Sequence, residues 1–525
     1  MTRSDRALRL LRGRSDLARL AAFPFDFDLE RDEHGEAVRL ASGAALEAVA
    51  GDDTGGTYFV CADGAVLYAS SEGEAGLIAG SVDEALEMLI GLPGWRNYTG
   101  LDPHADDTAL AAAVAGTEAD IRDSYAPELD AERSTLITEL ELRLIPQPEL
   151  LRRLHQTLLR TEPDYLLLNA DEGCAHTLLD RLPRPPLWQT VLAPGQADLV
   201  LLRTDRANWP AVAKDPARRV TALRAAQYDR RGADLPFLRV LLQHEARYGG
   251  ATEELRLAAA LVGLHGQAED HRLLKSVRQE NVDAHYLLGG FPDSAREMSR
   301  WATELDESNH GENPEHEDEL TWAGLARRQG RAELARCILL RLLDDAGPRD
   351  AGLLGLLAHE LTQLGDFAQA ARARHLYASL QDDPLHQGLA LADLASLQRR
   401  AGAIEAAWRS LQRAVSVLDG PPPPPATDQP ALDLGLPKPE HPTFRWRALG
   451  LGLRVTGEHF HIAGAAAQAG QSATARASLT AGTILLRELP TATEDLRQLS
   501  REAVAATLSE ATPTLPDVQR SSAFD

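Results

Sequence analysis

The chain has 525 residues, a formal net charge of −24, 44% hydrophobic but only 5% aromatic residues, and three cysteines. A chain this long exceeds what one core can hold and implies about two to four domains, while the low aromatic share points to helices packed through Leu and Ala. The negative charge argues against nucleic acid as a general partner, because phosphate binding needs a positive face, and Cys61, Cys174 and Cys337 are too scattered for a disulfide framework or a CxxC metal knuckle, as in a reducing cytoplasm.

At the start, MTRSDRALRLLRGRSDLARL mixes Arg and Asp with Leu, so it reads as an amphipathic helix with Leu8, Leu11 and Leu20 inward and not as a secretory leader. No run of about 18 strongly apolar residues occurs, so no membrane span is expected. The rhythm then changes from helix to sheet. Thr57–Cys61 and Ala65–Ser70 are short β-branched and aromatic runs split by Asp63-Gly64, a hairpin signal. Leu77-Ile78-Ala79 predicts a third strand. Ser81 with Glu84 predicts a capping box for a helix that buries Val82, Leu86, Leu89 and Ile90 and stops at Pro93-Gly94.

The order of Gly55-Gly56, a strand carrying Tyr68, an acidic turn at Glu72 and Glu74, and a closing helix Ser81–Gly91 resembles the second half of the SUKH superfamily of bacterial immunity and regulatory interaction domains. The likeness covers residues 44–95 and rests on pattern, not on catalytic residues. The family's opening helix signal is absent, and Ala21-Ala22-Phe23-Pro24 stands in its place. The resemblance implies an antiparallel α+β domain over residues 1–105 that recognises proteins.

Residues 106–210 read as a mostly helical connection. Asp107–Leu144 places Leu110, Val114 and Ile121 at helical spacing, Ile145-Pro146-Gln147-Pro148 breaks the helix, and Glu149–Arg160 restarts it. Asp164–Leu168 and Trp188–Leu202, punctuated by prolines and by Pro194-Gly195, are expected to supply a hairpin. Over residues 211–310, Arg219–Arg231, Asp234–Tyr248, Thr252–Leu264 and Asp270–Glu280 predict helices that resemble HEAT-type pairs. Glu304–Glu319 is dense in carboxylates. His310 and His316 among Glu312, Glu315 and Glu317 offer zinc-compatible ligand types, but that composition is commoner in a solvated acidic linker, and no metal is expected.

Between residues 317 and 418 a period appears. Gly330, Gly365 and Gly402 stand 35 and 37 residues apart; Ala323, Ala358 and Ala395 precede them, and Ala335, Ala370 and Ala407 follow them. Each glycine ends a helix where a left-handed cap is needed, and each alanine is small where two helices must approach. Leu353, Leu357 and Leu361 form the apolar stripe of one such helix. The spacing resembles tetratricopeptide repeats, with Ala326, Leu361 and Gln398 where an aromatic is usual and without the closing proline. An irregular all-α bundle is the alternative. After a proline-rich linker at 419–442, Gly470 with Ala463 and Ala475 predicts a further helical hairpin within 443–510, and 511–525 forms a tail. The expected fold class is therefore an α+β N-terminal domain followed by a mainly α-helical solenoid of HEAT-like and tetratricopeptide-like repeats.

Signals for catalysis are weak. His359-Glu360 and His244-Glu245 imitate a zincin motif, but Gln363 and Tyr248 occupy the second histidine's place. His459 and His461 diverge if helical. No P-loop occurs, and Ser70-Ser71 near Gly73 lacks the Gly-x-Ser-x-Gly elbow. Asp52 and Asp53, like Glu72 and Glu74, fit turns better than acid–base pairs. The sequence points to a non-enzymatic cytoplasmic interaction protein of immunity or scaffold type, with no cofactor and no metal, and with a basic protein partner rather than nucleic acid or membrane. The contact residues expected are Tyr68, Glu72 and Glu74, then Glu312, Glu315 and Glu317. Two alternatives are a regulatory sensor holding a peptide or transcription regulator in the solenoid concavity, and an enzyme with a site in 164–208.

Overall fold

The computed structural model describes residues 6–248, 252–309, 311, 313–420 and 445–510. Most of the 419–442 linker, the 511–525 tail, His310 and Glu312 lie outside the described residues. Contacts divide the chain into two units, Met1–Arg341 and Leu342–Asp525.

Unit one opens with α1 (Arg6–Gly13) and α2 (Ser15–Ala22), then β1 (Val38–Leu40), β2 (Leu46–Gly51), β3 (Thr57–Cys61), β4 (Val66–Ala69), β5 (Glu74–Ala79) and α3 (Val82–Gly91). Helices α4 (Asp107–Ser124), α5 (Leu129–Glu139) and α6 (Gln147–Leu158) follow, then β6 (Leu167–Asn169) and β7 (Thr177–Leu178). The sheet runs β2-β3-β4-β5-β7, antiparallel except for the last pair, while β1 and β6 form a separate antiparallel ribbon. Alternation along the strands gives the sheet two buried faces. Tyr58, Val66, Tyr68 and Ile78 join one core with residues of α1 to α6, and Phe59, Cys61, Leu67 and Leu77 join another with Leu40 and Leu167.

This α+β region therefore continues to Leu178, beyond the boundary expected at 105, because β6 and β7 complete what the early strands begin. Ser81 caps α3 as expected, its side chain accepting from the Glu84 N–H, but Glu84 reaches back to the amide of Gly80.

The hairpin expected at Trp188–Leu202 is instead one helix, α7 (Leu187–Thr204), with Pro194 inside it. Its buried Val191, Leu192, Gly195, Leu199 and Leu202 keep helical spacing. Two features make the Pro-Gly pair tolerable. Pro194 has no N–H to give the Thr190 carbonyl, and Arg331 Nη1 donates to that oxygen at 2.8 Å; Gln329 Nε2 donates to the next carbonyl, Val191, also at 2.8 Å. A Cβ on Gly195 would stand 2.2 Å from the carbonyl oxygen of Thr221, so only glycine allows the two helices to meet.

Thr221 belongs to α9 (Pro216–Tyr228), which follows α8 (Trp209–Lys214). The rest of unit one is α10 (Leu235–Tyr248), α11 (Glu253–Leu264), α12 (Ala268–Glu280), α13 (Val282–Leu287), α14 (Met298–Asn309), α15 (Glu319–Arg328) and the greater part of α16 (Ala332–Asp345). Within it, Arg219 and Glu245 form an ion pair at 2.5 Å with both side chains buried.

Unit two contains the end of α16, α17 (Ala351–Gln363), α18 (Phe367–Ser379), α19 (Pro384–Arg400), α20 (Ile404–Asp419), α21 (Arg445–Ala448), α22 (Gly450–Gln468), α23 (Ser472–Glu488) and α24 (Glu494–Glu510). Among the described residues no strand interrupts 319–418, and no helix is long and apolar enough to cross a membrane.

The periodic glycines share one geometry. Gly330, Gly365, Gly402 and Gly470 have φ of 75°, 76°, 82° and 72°. At each, the glycine N–H bonds back three residues and the next residue's N–H bonds back five: Arg331 to Ala326, Asp366 to Leu361, Ala403 to Gln398 and Gln471 to Ala466. This is the Schellman pattern, which satisfies the helix's last carbonyls and sends the chain back as a second helix. Seven residues before each glycine and five after it, all eight alanines are buried.

Candidate functional site

One concave feature of unit one is built on the loop joining β2 to β3. Asp52 is buried there and acts as the loop's internal acceptor. Its Oδ1 takes the N–H groups of Thr54 (2.9 Å) and Gly56 (2.8 Å) and the Thr54 hydroxyl (2.9 Å), and its Oδ2 takes the Tyr68 hydroxyl at 2.6 Å. Burial alone would raise the Asp52 pKa, but these donors and the Arg96 charge hold it below the ordinary carboxylate value. Arg96 lies 3.5 Å from Asp52 and donates to the Thr54 hydroxyl (2.9 Å) and the Tyr68 hydroxyl (3.0 Å). Trp95 packs edge-on against Tyr68, and its indole N–H reaches the Tyr58 hydroxyl at 3.3 Å.

Above this network opens a cleft of about 290 Å³ lined by Phe23, Asp26, Asp53, Trp95, Arg96 and Tyr125, among others. Phe25 and Phe27 anchor the segment after α2 in the core and leave Asp26 half-exposed at the cleft wall, with φ of 56°. Phe23 and Tyr125 are 56% and 51% exposed, and their rings pack together with centroids 5.5 Å apart. Two large aromatic side chains held against each other in water cost hydration and favour a partner. The Asp26 carboxylate makes no hydrogen bond or ion pair with the described residues. Burial, then Asp53 and Asp52, push its pKa up to about 6. Burial, then Asp26 and Asp53, raise the Tyr125 phenol above its ordinary value.

The residues expected to contact a partner fall elsewhere. Tyr68 is fully buried and holds Asp52, so it offers no surface of its own. Glu72 is exposed at the tip of the β4–β5 turn, whose Ser70 hydroxyl accepts from the Glu72 and Glu74 amides; Glu74 is half-buried where β5 begins. Glu315 is exposed in the short turn Pro314–His316. Glu317 is drawn inward, accepting the Tyr228 hydroxyl at 2.7 Å and lying 3.4 Å from Arg224, so it ties its loop to α9. Glu312 and His310 lie outside the described residues.

The stretch 164–208 forms β6, β7, α7 and a short helical turn, with Asp180 paired to Arg184 at 2.9 Å and Asp198 to Arg218 at 2.5 Å. In α22, His459 is buried and His461 exposed, as divergence on a helix requires. Among the described residues no group of three or more His, Cys, Asp or Glu could hold a metal ion.

Sequence reasoning missed the cleft because its wall comes from four separate places in the chain. The alternating Phe-Pro-Phe-Asp-Phe-Asp run at 23–28 was the signal available, since burial of Phe25 and Phe27 turns the Asp26 between them outward. No protein-family model matches the chain, and no curated protein matches it.

Proposed function

We propose that this chain is a non-enzymatic protein-binding protein. In this reading the N-terminal α+β region is a SUKH-like recognition domain, and the helical hairpins form a solenoid of HEAT-like and tetratricopeptide-like repeats that serves as scaffold. The role is of immunity or scaffold type in the cytoplasm, with a basic protein as partner. The observation that carries the proposal is the exposed Phe23–Tyr125 pair beside the unpaired Asp26. Aromatic area next to a partly desolvated charge is the composition of an interface hot spot. The net charge of −24 would steer a basic partner towards it.

The test is affinity capture from the native host, followed by reconstitution of the captured protein from pure components. The expected result is a direct complex whose association rate falls with added salt, and which Phe23→Ala with Tyr125→Ala weakens at least about tenfold. Equal binding by that double variant would move the recognition surface elsewhere. Failure to capture any protein would remove the interaction reading.

A second reading, a regulatory sensor that holds a peptide on its helical hairpins, is favoured by one feature of unit two. Arg374 on α18 and Arg454 on α22 both pair with Asp393 on α19, the former at 3.8 Å. Burial lowers the pKa of both guanidinium groups, and for Arg454 the neighbouring Arg374 adds to this. One carboxylate balances two cations, which leaves positive charge for an anionic group of a peptide.

A further inference from the structure

The cleft beside Asp52 also carries a statement about what enters it, resting on the reading of this chain as a protein-binding protein. We propose that the cleft receives a single cationic side chain, that of an arginine or lysine, from an extended segment of the partner.

Four observations converge on this. First, the wall is net negative, with two carboxylates, Asp26 and Asp53, against one guanidinium, Arg96. Arg96 is the cation in the wall, and it is committed to Asp52, Thr54 and the Tyr68 hydroxyl, while Asp26 and Asp53 have no ion-pair partner among the described residues. Second, a volume of about 290 Å³ accommodates a long side chain but is small for a folded element. Third, the exposed Phe23 and Tyr125 rings line the cleft, inclined at 47° to each other, and an aromatic face attracts a guanidinium or ammonium through the ring quadrupole. Fourth, the floor is rigid. Asp52, Tyr68 and Trp95 are buried and mutually bonded or packed, so the wall is organised before any ligand arrives. An anion is disfavoured by Asp26 and Asp53. A neutral apolar side chain would bury the Asp26 carboxylate without a partner, which costs more than the ring contact returns.

Binding of short peptides to the full chain tests this at low salt, by calorimetry or by chemical-shift changes of Phe23 and Tyr125. The probes are an acetylated, amidated Gly-Ser-Arg-Ser-Gly, its lysine counterpart and its citrulline counterpart, which keeps the shape of arginine without the charge. Saturable binding of the arginine or lysine peptide, at least about tenfold tighter than the citrulline peptide and reduced at least about tenfold by Asp26→Asn with Asp53→Asn, supports the proposal. Both substitutions are near-isosteric, and circular dichroism of the variant controls for folding. Citrulline binding as tightly as arginine, or the double variant binding unchanged, overturns it. If no peptide binds while the reconstituted partner still does, this inference is lost and the protein-binding reading stands.

Discussion

The phenol oxygen of Tyr68 lies 2.1 Å from the place a Cβ on Gly56 would occupy. That close approach lets the hydroxyl reach Asp52, so the glycine before β3 and the aromatic on β4 are one device. Gly56→Ala should overpack this point by about 1–3 kcal/mol, since the ring is fully buried and cannot swing away. Tyr68→Phe should cost about 1–3 kcal/mol by removing a donor from a buried carboxylate. Because the Asp52 pKa is depressed in the folded state, its contribution is present above the ordinary carboxylate value and lost on acidification. Urea titrations at pH 7 and below the ordinary carboxylate value of 3.8 check both, with the Tyr68→Phe penalty expected to shrink only at the lower pH.

Asp26 has the opposite sign. Its folded pKa is raised from 3.8 to about 6, so the ionised carboxylate destabilises the fold above pH 6, and protonation relieves that cost as pH falls. Asp26→Asn, which tolerates positive φ, should stabilise unit one at pH 8 by on the order of 1–2 kcal/mol after discounting for solvent exposure, and by almost nothing at pH 4. Thermal melts at the two pH values decide it. An equal gain at both would show that the carboxylate's charge is not the cause.

Arg331 is expected to matter for a residue far away in sequence. Arg331→Leu leaves the Thr190 carbonyl without the donor that Pro194 cannot supply, at a cost of about 1–3 kcal/mol. In the double variant Arg331→Leu/Pro194→Ala the alanine N–H replaces the guanidinium, so part of the loss should return. A double-mutant cycle in urea measures this coupling, and strict additivity would refute it.

In unit two, His459 is buried with its Nδ1 3.4 Å from the Ser478 hydroxyl, and burial lowers its pKa to about 4. The unfolded chain takes up this proton first, near pH 6.5, so stability is intact above that value and declines as pH drops towards 4, by up to about 3 kcal/mol. His459→Gln should flatten the decline in melting temperature between pH 7 and pH 4.5. A parallel fall in wild type and variant would assign it to other groups.

Ala370 and Ala407 are buried at equivalent points of two hairpins. Replacing either with Leu should overpack its crossing by about 1–3 kcal/mol. Unchanged melts for both variants would be incompatible with those crossings.

The legible parts of the fold were those in which a residue type has one physical use. A glycine at the end of an apolar stripe, with alanines at fixed distances on either side, has little to do but cap a helix and seat its neighbour, and all four such sites do so. β2 was not legible, since Leu-Glu-Ala-Val-Ala favours helix by propensity and becomes a strand only because β3 is there to pair with it. Pro194-Gly195 misled because a turn needs only local sequence, whereas the helix there depends on Arg331 and on the passage of α9. Tyr68 looked like a hairpin's surface aromatic until Asp52 and Gly56 were seen beneath it. For the cleft, no local pattern joins Phe23, Asp53, Arg96 and Tyr125.

The late arrival of β6 and β7 sets a timetable for synthesis. When residue 105 has been added, β1 has no partner and the outer edge of β5 is open, because the residues that cover them, Leu167–Asn169 and Thr177–Leu178, have yet to be made. An open edge of this kind templates pairing with other chains. The helices α4 to α6, which bury one face of the sheet, must therefore leave the ribosome before the strands that close its borders, and a nascent chain stalled in that interval carries a half-covered sheet with sticky margins.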